Sequence, residues 1–378
     1  MPSEHAVLSC SASHRWLECT PSARLEQEFE DQTSDAAKEG TAAHALAEYK
    51  IKQKLGMPCE KPVSEYEDAD MRKYTDDYAD YVWEMYMAAK QLDENAQIFI
   101  EQRVDLGCYV PESFGTCDCC IVYLGNLIII DFKYGKGVFV DATDNSQMKL
   151  YALGALRIFQ KKFKVKNVST RIYQPRKANL SIWDITVAKL KAWARKTVKV
   201  KAELAFAGEG ELNPGEWCQF CKAACKCRAR ATENLKLLER GKKAPSLLTD
   251  AEIGEILLKI PAAKEWIEAI WDYAESEAVK GEKSWAGFKV VEKETKKRYS
   301  DEKAIAQVLK DAGYTDIYQE IKLKNQTDLK KLMGEAVFNG TVGPYLLKPK
   351  GDPIMVEESD NRPAINAITE AFKKKIKS

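Results

Sequence analysis

Apolar residues recur along the chain with two different periods, and their order predicts an α/β protein. Helical spacing of three and four residues alternates with stretches in which every second residue is apolar, as in strands. In the first part of the chain the predicted elements are helices near Ala36–Leu55 and Ala69–Leu92, strands near Ile98–Asp105, Thr116–Tyr123 and Leu127–Lys133, a helix at Ser146–Phe159, strands near Ser169–Gln174 and Ile182–Ile185, and a helix at Val187–Glu209. This order predicts a central mixed sheet flanked by helices.

The sequence changes character near Gly281. Before this point, the predicted elements are helical stretches at Arg228–Leu238 and Thr249–Val279; after it, they are strands at Trp285–Thr295 and Asp316–Leu323 and helices at Asp301–Ala312 and Asn325–Met333. With 378 residues, of which 45% are hydrophobic, the chain can bury a full core and still carry an extra domain. We therefore predict a core at residues 1–230, a helical extension at 231–280 and a small C-terminal α/β module at 281–378.

The middle of the chain groups residue types that phosphodiester hydrolysis requires. Asp118 falls at the end of one predicted strand, Asp131 at the end of the next, and Lys133 two residues later. Because side chains on a strand repeat every second residue, Asp131 and Lys133 point to the same side of the sheet. A hairpin turn at Gly125-Asn126 would bring Asp118 beside them.

Two carboxylates and one ammonium group are the minimal set for this chemistry at neutral pH. Carboxylates can hold Mg²⁺ or Mn²⁺, which keep water molecules for activation. The ammonium group of Lys133 can orient the attacking water and stabilise charge on the phosphate. On the helix that follows, Gln147 and Tyr151 are four residues apart and share one face. Glu101, in an earlier strand, is a candidate auxiliary acid.

A Gly-x-x-Asp turn, an apolar strand ending in Asp-x-Lys and a Gln-x-x-x-Tyr helix, in this order, resemble the PD-(D/E)XK superfamily and, within it, the RecB-type nucleases. The RecB pattern adds an upstream histidine. His44, in a stretch of strong helix formers, matches it, although a lone histidine on a helix is more often structural. The metal ligands that the resemblance implies are His44, Asp118, Asp131 and the backbone carbonyl of Phe132. The catalytic residues that it implies are Asp118 and Asp131, Lys133 as the group that positions the nucleophile, and Gln147 and Tyr151, which bind the strand or support the centre.

A second group of candidate metal ligands consists of cysteines, since four of the eleven lie in the stretch from Cys218 to Cys227. The spacing Cys218-x₂-Cys221-x₅-Cys227 lets thiolates converge on one metal, and a further ligand must come from elsewhere. Thiolate ligands suit zinc as well as iron–sulfur clusters, and spacing alone favours Zn²⁺.

The split between early and late cysteines resembles the iron–sulfur-containing RecB-like nucleases of the AddB and CRISPR-associated exonuclease type. This resemblance implies a [4Fe–4S] cluster that joins the two ends of the nuclease core. The four ligands that it implies are Cys19, Cys218, Cys221 and Cys227. Cys10 competes with Cys19 as the first ligand, and Cys225 is an extra cysteine that departs from the family pattern.

Positive charge is concentrated in one part of the chain, although the formal net charge is only +1. Residues 157–201 contain fourteen Lys or Arg and a single acid, Asp184. A basic stretch is usually a solvated face, but this one follows the catalytic helix and carries aromatic residues that could stack on bases. The residues best placed for DNA contact are Lys161, Lys162, Arg176 and Lys177.

The beginning of the sequence is polar and charged and has no secretory signal, and no apolar run reaches membrane-spanning length. We therefore expect a reducing compartment, the cytoplasm of a bacterial host cell, in which thiols are free or bound to metal rather than paired in disulfides. No membrane association is expected.

The chain also resembles a family of phage- and prophage-encoded proteins over essentially its whole length. The shared stretches run from Ser13 to Leu25, from Glu39 to His44 and around Arg362-Pro363-Ala364. This resemblance implies a DNA exonuclease that acts on DNA ends in phage or mobile-element recombination, together with a single-strand annealing or binding protein. Two rival functions remain open: a catalytically silent, metal-stapled DNA-binding protein, and a zinc-stabilised scaffold for partner proteins.

Overall fold

Two compact units make up the protein, residues Met1–Trp266 and Ile267–Ser378. The computed structural model describes residues 6–29, 34–239, 248–295, 297–319, 322–347, 349–357 and 363–365. Arg362, part of the tail motif noted above, lies outside the described residues. All the predicted site residues belong to the first unit.

A five-stranded mixed sheet with the order β1-β2-β3-β4-β5 is the centre of the first unit. Its strands are β1 (Gln97–Asp105), β2 (Phe114–Tyr123), β3 (Asn126–Phe132), β4 (Asn167–Gln174) and β5 (Asn179–Thr186). Neighbouring strands are antiparallel except β3 and β4, which are parallel. A parallel neighbour requires a long crossover connection, and the helix Ser146–Phe163 provides it.

Helices cover both faces of this sheet. α3 (Asp35–Lys54) and α4 (Ala69–Leu92) lie on one face, and α5 (Ser146–Phe163) and α6 (Val187–Trp193) on the other. The other described helices of this part of the chain are α1 (Ser13–Trp16), α2 (Ser22–Leu25), α7 (Lys199–Ala207) and α8 (Arg228–Glu239). The longer ones begin at side chains that cap them: Ser34 accepts from the Ala37 N–H, Asp68 from Met71 and Asn145 from Met148. A further helix, α9, runs through Asp250–Lys280.

The core has two layers, and β3 is buried between them. Leu127 and Ile129 pack in the layer formed with α5, whereas Ile128, Ile130 and Phe132 pack in the layer formed with α3 and α4. A strand with two buried faces has no polar alternation, which is why β3 appears in the sequence as a continuous apolar run.

The second unit has a smaller α/β core. Its helices beyond α9 are α10 (Glu302–Asp311), α11 (Gln326–Met333) and α12 (Glu335–Thr341), and its strands are β6 (Phe288–Glu292), β7 (Arg298–Tyr299), β8 (Tyr318–Gln319), β9 (Lys322–Leu323), β10 (Leu346–Leu347) and β11 (Pro353–Glu357). The described strands pair as β6 with β11, β7 with β10 and β8 with β9, all antiparallel. Ile305, Leu309, Leu329 and Phe338 form the centre of this core.

Most elements predicted from the sequence are present, and three details were wrong. The helix predicted at Val187–Glu209 is divided by a wider π-helical turn at Ala194–Val198. The strand predicted at Asp316–Leu323 is the hairpin of β8 and β9. Asp118 lies inside β2, not at its end. Among the described helices, none has the length and apolar character needed to cross a membrane.

Candidate active site

The residues predicted to be catalytic lie at one edge of the sheet, the edge at which the strands β3 and β4 end. Asp131 is the penultimate residue of β3 and Lys133 follows the strand. The parallel strand β4 ends at the same edge, where the Tyr173 carbonyl accepts a hydrogen bond from the Lys133 N–H at 2.9 Å. The first two turns of α5, with Gln147 and Tyr151, reach this edge from the loop that leaves β3.

A break in the pairing of β1 with β2 brings two acids to this edge. The register omits Glu101 and Asp118, and Glu101 has a φ of 49°, in the left-handed region that a strand residue rarely adopts. On β2, Cys117 and Cys120 both face the core layer of α5, although regular alternation would place them on opposite faces. The irregularity turns Glu101 and Asp118 towards α3, as a β-bulge re-aims side chains.

His44, on α3, meets these two acids. One ligand atom each from His44, Glu101 and Asp118 can be chosen so that all lie within 4.8 Å of one another. His44 Nδ1 is 3.4 Å from Asp118 Oδ1, and the other carboxylate oxygen of Asp118 accepts the Phe132 N–H at 2.7 Å. The structure therefore brings Glu101, the candidate auxiliary acid, into the centre together with two of the predicted ligands.

A second group of side chains surrounds Asp131. Gln147 Nε2 donates to Asp131 Oδ1 at 3.3 Å and to the Tyr151 hydroxyl at 3.1 Å, and Lys133 Nζ donates to Gln147 Oε1 at 3.3 Å. Lys133 Nζ also lies 2.9 Å from Asp131 Oδ2. This buried oxygen is therefore in a close ion pair with Lys133, and no other group among the described residues donates a hydrogen bond to it.

Negative charge is crowded in this buried site. Burial, with the charge of Asp118, raises the pKa of Glu101 to about 7, and burial also raises the pKa of Asp131. Burial acts in the same direction on Asp118, but the charge and hydrogen bond of His44 outweigh it and hold that pKa below its usual value. Burial lowers the pKa of His44, yet Asp118 more than offsets this effect and raises it to about 9. An added cation would relieve the crowding of these acids.

Gly115 allows the Tyr151 ring to lie against β2. A Cβ at this position would be 2.8 Å from both Cys10 Sγ and Tyr151 Cε1. We expect Gly115→Ala to displace Tyr151 and to lower the free energy of unfolding by about 1–3 kcal/mol, as overpacking does. Thermal unfolding measures this, with Gly40→Ala as the control, because no heavy atom lies within 4 Å of a Cβ at Gly40. Equal stability of the two variants would contradict the contact.

The four cysteines predicted to bind a cluster lie together at a second site. Cys19 is in the segment between α1 and α2, and Cys218, Cys221 and Cys227 are in the loop between α7 and α8. All four line one small cavity that is open to solvent. Burial raises the pKa of Cys19 and raises that of Cys221 to about 12, so these thiols stay protonated unless a cation binds them.

Cys10, the competing first ligand, and Cys225, the extra cysteine, do not line this cavity. Cys10 is in the core layer of α5, next to Gly115. The Cys225 thiol donates to the Lys222 carbonyl at 3.8 Å. The geometry thus groups Cys19, not Cys10, with the late cysteines.

Hydrogen bonds without cysteine also join the N-terminal segment to the end of the core. Thr20 Oγ1 donates to the Glu209 carbonyl at 2.6 Å. Arg15 donates to the Phe220 carbonyl at 2.8 Å and pairs with Glu26 at 2.7 Å. These protein contacts therefore hold the two segments together beside the cysteine cavity without any metal.

The basic residues predicted to contact DNA lie at two different ends of the sheet. Lys161 and Lys162 are exposed in the last turn of α5, whereas Gln147 is in its first turn. Fourteen residues of helix separate Lys161 from Gln147 by roughly 21 Å. Lys177, which is half-buried, lies in the turn between β4 and β5, at the edge where β3 and β4 end. DNA contact by these residues stays a prediction.

Arg176 is already paired within the protein. It donates to Glu39 at 2.9 Å and lies over the Tyr134 ring, 4.5 Å from its centroid. Glu39 precedes His44 by five residues on α3, so this pair fixes the helix that carries His44 to the turn after β4. Binding a DNA phosphate would require Arg176 to share or exchange this partner.

Comparison with known proteins gives a family over nearly the whole chain. A family model described as "Protein of unknown function (DUF2800)" matches residues 5–363. A crystal structure of a "Putative exonuclease" from Eubacterium rectale is 14% identical and is matched over 57% of this chain and 86% of its own, with a TM-score of 0.34. The crystal structure of SSO0001 is 13% identical and is matched over 49% of this chain and 95% of its own, with a TM-score of 0.22. Both scores are too low to establish a shared fold, so the chemistry is inferred from the site itself.

Proposed function

The chain belongs to the DUF2800 family, and we propose that it is a metal-dependent deoxyribonuclease of the RecB type in the PD-(D/E)XK superfamily. The observation that carries this proposal is the meeting of His44, Glu101 and Asp118 within 4.8 Å, at the sheet edge where Asp131 and Lys133 are paired. A histidine, three acids and a lysine at one strand edge form a set suited to phosphodiester hydrolysis.

A divalent metal ion fits the donor set of this site. Carboxylate oxygens suit Mg²⁺ and Mn²⁺, and an imidazole nitrogen among them is a better ligand for Mn²⁺ than for Mg²⁺. The buried Asp131 Oδ2, whose one partner among the described residues is the Lys133 ammonium, keeps lone-pair capacity for a cation and supports this fit. When bound, the ion would polarise a phosphate oxygen and acidify a water molecule. The residues proposed to hold it are His44, Glu101, Asp118, Asp131 and the carbonyl of Phe132.

The remaining side chains organise the reacting groups. Lys133, in contact with Asp131 and Gln147, places a fixed positive charge where negative charge develops on the phosphate. Gln147 bridges Asp131 and Tyr151, so it holds the carboxylate in one orientation. Because the folded protein already holds these groups in place, little further entropy is lost in arranging them at each reaction.

We assign the cysteine cavity to a [4Fe–4S] cluster, with zinc as the alternative occupant. Four thiols from segments about two hundred residues apart in sequence line a single cavity, which is the arrangement expected of a metal-bound staple. The cluster would stabilise the closure of the core and leave hydrolysis to the residues at the sheet edge.

The proposed biological substrate is the DNA end that arises in phage or mobile-element recombination. A nuclease of this kind would expose single strands for an annealing or binding protein, which is the partner that the sequence resemblance implies. Lys177, in the turn after β4 at the same edge as the proposed centre, is the member of the basic stretch that is placed to meet a polyanionic substrate.

Metal titration tests the proposed centre directly. We expect His44→Ala and Glu101→Gln each to weaken Mn²⁺ binding, measured by calorimetry, by about tenfold or more, because each removes a ligand. Excess Mn²⁺ should partly restore the cleavage rate of His44→Ala. Glu94→Gln is the matched control, since Glu94 is exposed in the turn before β1, at the other edge of the sheet. Binding curves that all coincide with that of the unaltered protein would refute the assignment.

A further inference from the structure

The loop of residues 135–145, between β3 and α5, presents an aromatic ring to solvent. The Phe139 side chain is 60% exposed, its neighbour Val138 is 47% exposed, and Lys136 is exposed on the same loop. Single exposed apolar residues are common on protein surfaces and need no explanation. The way in which this loop is held, and its position, distinguish Phe139 from them.

Side chains of the sheet fix the backbone on both sides of Phe139. The buried amide of Gln174 donates to the Val138 carbonyl at 2.8 Å, and Asn179 donates to the Val140 carbonyl at 2.8 Å. An aromatic ring on a backbone that is already held loses little conformational freedom when it binds a ligand. The loop thus displays a pre-organised ring.

The rest of the loop is anchored to β5, the strand that begins at Asn179. Ser181 on β5 accepts from the Ala142 N–H at 2.9 Å and donates to Asp141 Oδ1 at 2.7 Å. Both the tip and the base of the loop are therefore attached to the end of the sheet.

These anchors lie next to the catalytic lysine. Gln174 directly follows Tyr173, whose carbonyl accepts the Lys133 N–H at 2.9 Å. The tip of the loop is consequently beside the strand end that carries Lys133. Space around the tip is open, because a Cβ at Gly135 or Gly137 would have no heavy atom within 4 Å. A substrate strand can therefore approach both the ring and the lysine.

We infer that Phe139 stacks on an unpaired base next to the scissile phosphate and that Lys136 contacts the adjoining backbone, so that the site takes single-stranded DNA. The inference rests on the proposed nuclease function and specifies its substrate. In a duplex both faces of each internal base are covered by its neighbours, whereas an unpaired base offers a face to a protruding ring. Stacking of bases on aromatic side chains tolerates any sequence, as a nuclease at DNA ends requires.

Binding without catalysis separates this inference from the nuclease proposal. The full-length protein is titrated, in EDTA, into a fluorescein-labelled single-stranded oligonucleotide and into a blunt duplex of the same sequence, and anisotropy gives both dissociation constants. We expect Phe139→Ala to weaken binding of the single strand roughly tenfold and to leave duplex binding unchanged. Phe139→Trp should retain tight binding, whereas Phe139→Leu, which keeps the apolar volume but not the ring, should behave like alanine.

Two further variants sharpen the test. Lys136→Gln should reduce the slope of log affinity against log salt by the contribution of about one neutralised phosphate. Leu92→Ala is the matched control, because Leu92 is 65% exposed but lies at the end of α4, near the opposite edge of the sheet. Leu92→Ala should bind both DNAs as the unaltered protein does.

Each outcome separates the two proposals. Equal binding of the single strand by Phe139→Ala and the unaltered protein, or full affinity in Phe139→Leu, would overturn the stacking role even if metal-dependent cleavage were intact. The absence of any single-strand binding by the unaltered protein would overturn it as well. Phe139-dependent binding by a protein that cleaves nothing would support the stacking role and contradict the nuclease.

Discussion

Replacing Lys133 or Asp131 by alanine is expected to lower DNA cleavage by about a hundredfold or more while the protein remains folded. In the proposed mechanism both side chains act on charge at the reacting phosphate. Their contacts are polar: Lys133 with Asp131 and Gln147, and Asp131 with Gln147. The core layers on either side of the sheet keep their apolar contacts in both variants. Initial rates on end-labelled DNA in Mn²⁺, together with thermal unfolding, measure the two effects.

Stability gives this prediction a second readout. Burial raises the pKa of Asp131, whereas burial lowers the pKa of Lys133 but the charges of Asp131 and Asp118 outweigh that effect and raise it. Asp131→Asn therefore removes a costly charge and also the partner of a lysine, so we expect it to remain folded and to keep a single cooperative unfolding transition. Lys73→Ala is the control for loss of a lysine, since Lys73 is exposed on α4 beside Tyr74. Near-full activity in either the Lys133 or the Asp131 variant would remove these residues from the mechanism.

Replacing any one of Cys19, Cys218, Cys221 and Cys227 by serine is expected to cause loss of the metal centre and a fall of about 10 °C or more in the unfolding midpoint. A lost metal centre removes several kcal/mol, and about 1 kcal/mol shifts the midpoint by about 2–4 °C in a domain of 150–250 residues. The contacts of Arg15 and Thr20 would keep the two segments associated. Cleavage per folded molecule should therefore change less than stability does.

The colour and metal content of anaerobically purified protein check the identity of the centre. A [4Fe–4S] cluster predicts a brown protein with about four iron atoms per chain. Cys10→Ser and Cys225→Ser are the controls and should keep the metal, because neither residue lines the cysteine cavity. A colourless protein with one zinc ion would replace the cluster by Zn²⁺, and a metal-free protein of unchanged stability would contradict the staple altogether.

The sequence was informative wherever a local pattern determines the structure. The apolar run of β3 and the helical spacing of α4 each depend on neighbours within a few residues, and both are present. The hairpin turn predicted at Gly125-Asn126 is also present but lies one residue earlier, at Leu124-Gly125, because Asn126 already pairs with Tyr123 as the first residue of β3. The pairing of Asp131 with Lys133 follows from the same local rule, since alternate residues of a strand share a face.

The centre itself depends on contacts that no local pattern encodes. Glu101 joins His44 and Asp118 because the pairing of β1 with β2 is interrupted at one point, with a positive φ at Glu101. Regular alternation gives no reason to select this acid over others on the strand. Its only sequence signal is a glutamate in the strand next to Asp118, and the register between the two strands must be known before that signal has meaning.

The environment of the basic residues could not be predicted from local sequence either. Arg176 and Lys161 belong to one positively charged stretch of sequence, but the first is paired with Glu39 at the catalytic edge and the second lies at the far end of α5. Counting charges along a chain does not tell which are already neutralised by distant acids. The loop that carries Phe139 was not singled out either, because its rigidity comes from Gln174 and Asn179, more than thirty residues later.

Digestion of end-labelled DNA by the purified protein is the most direct test of a metal-dependent nuclease. Single- and double-stranded substrates would be incubated with Mg²⁺, Mn²⁺ or EDTA, and Asp131→Asn, purified identically, would control for contaminating nucleases. The account predicts loss of label from DNA ends in Mg²⁺ or Mn²⁺, faster on the single strand, and no cleavage in EDTA or by the variant. Absence of cleavage with either metal, or equal cleavage by Asp131→Asn, would contradict it.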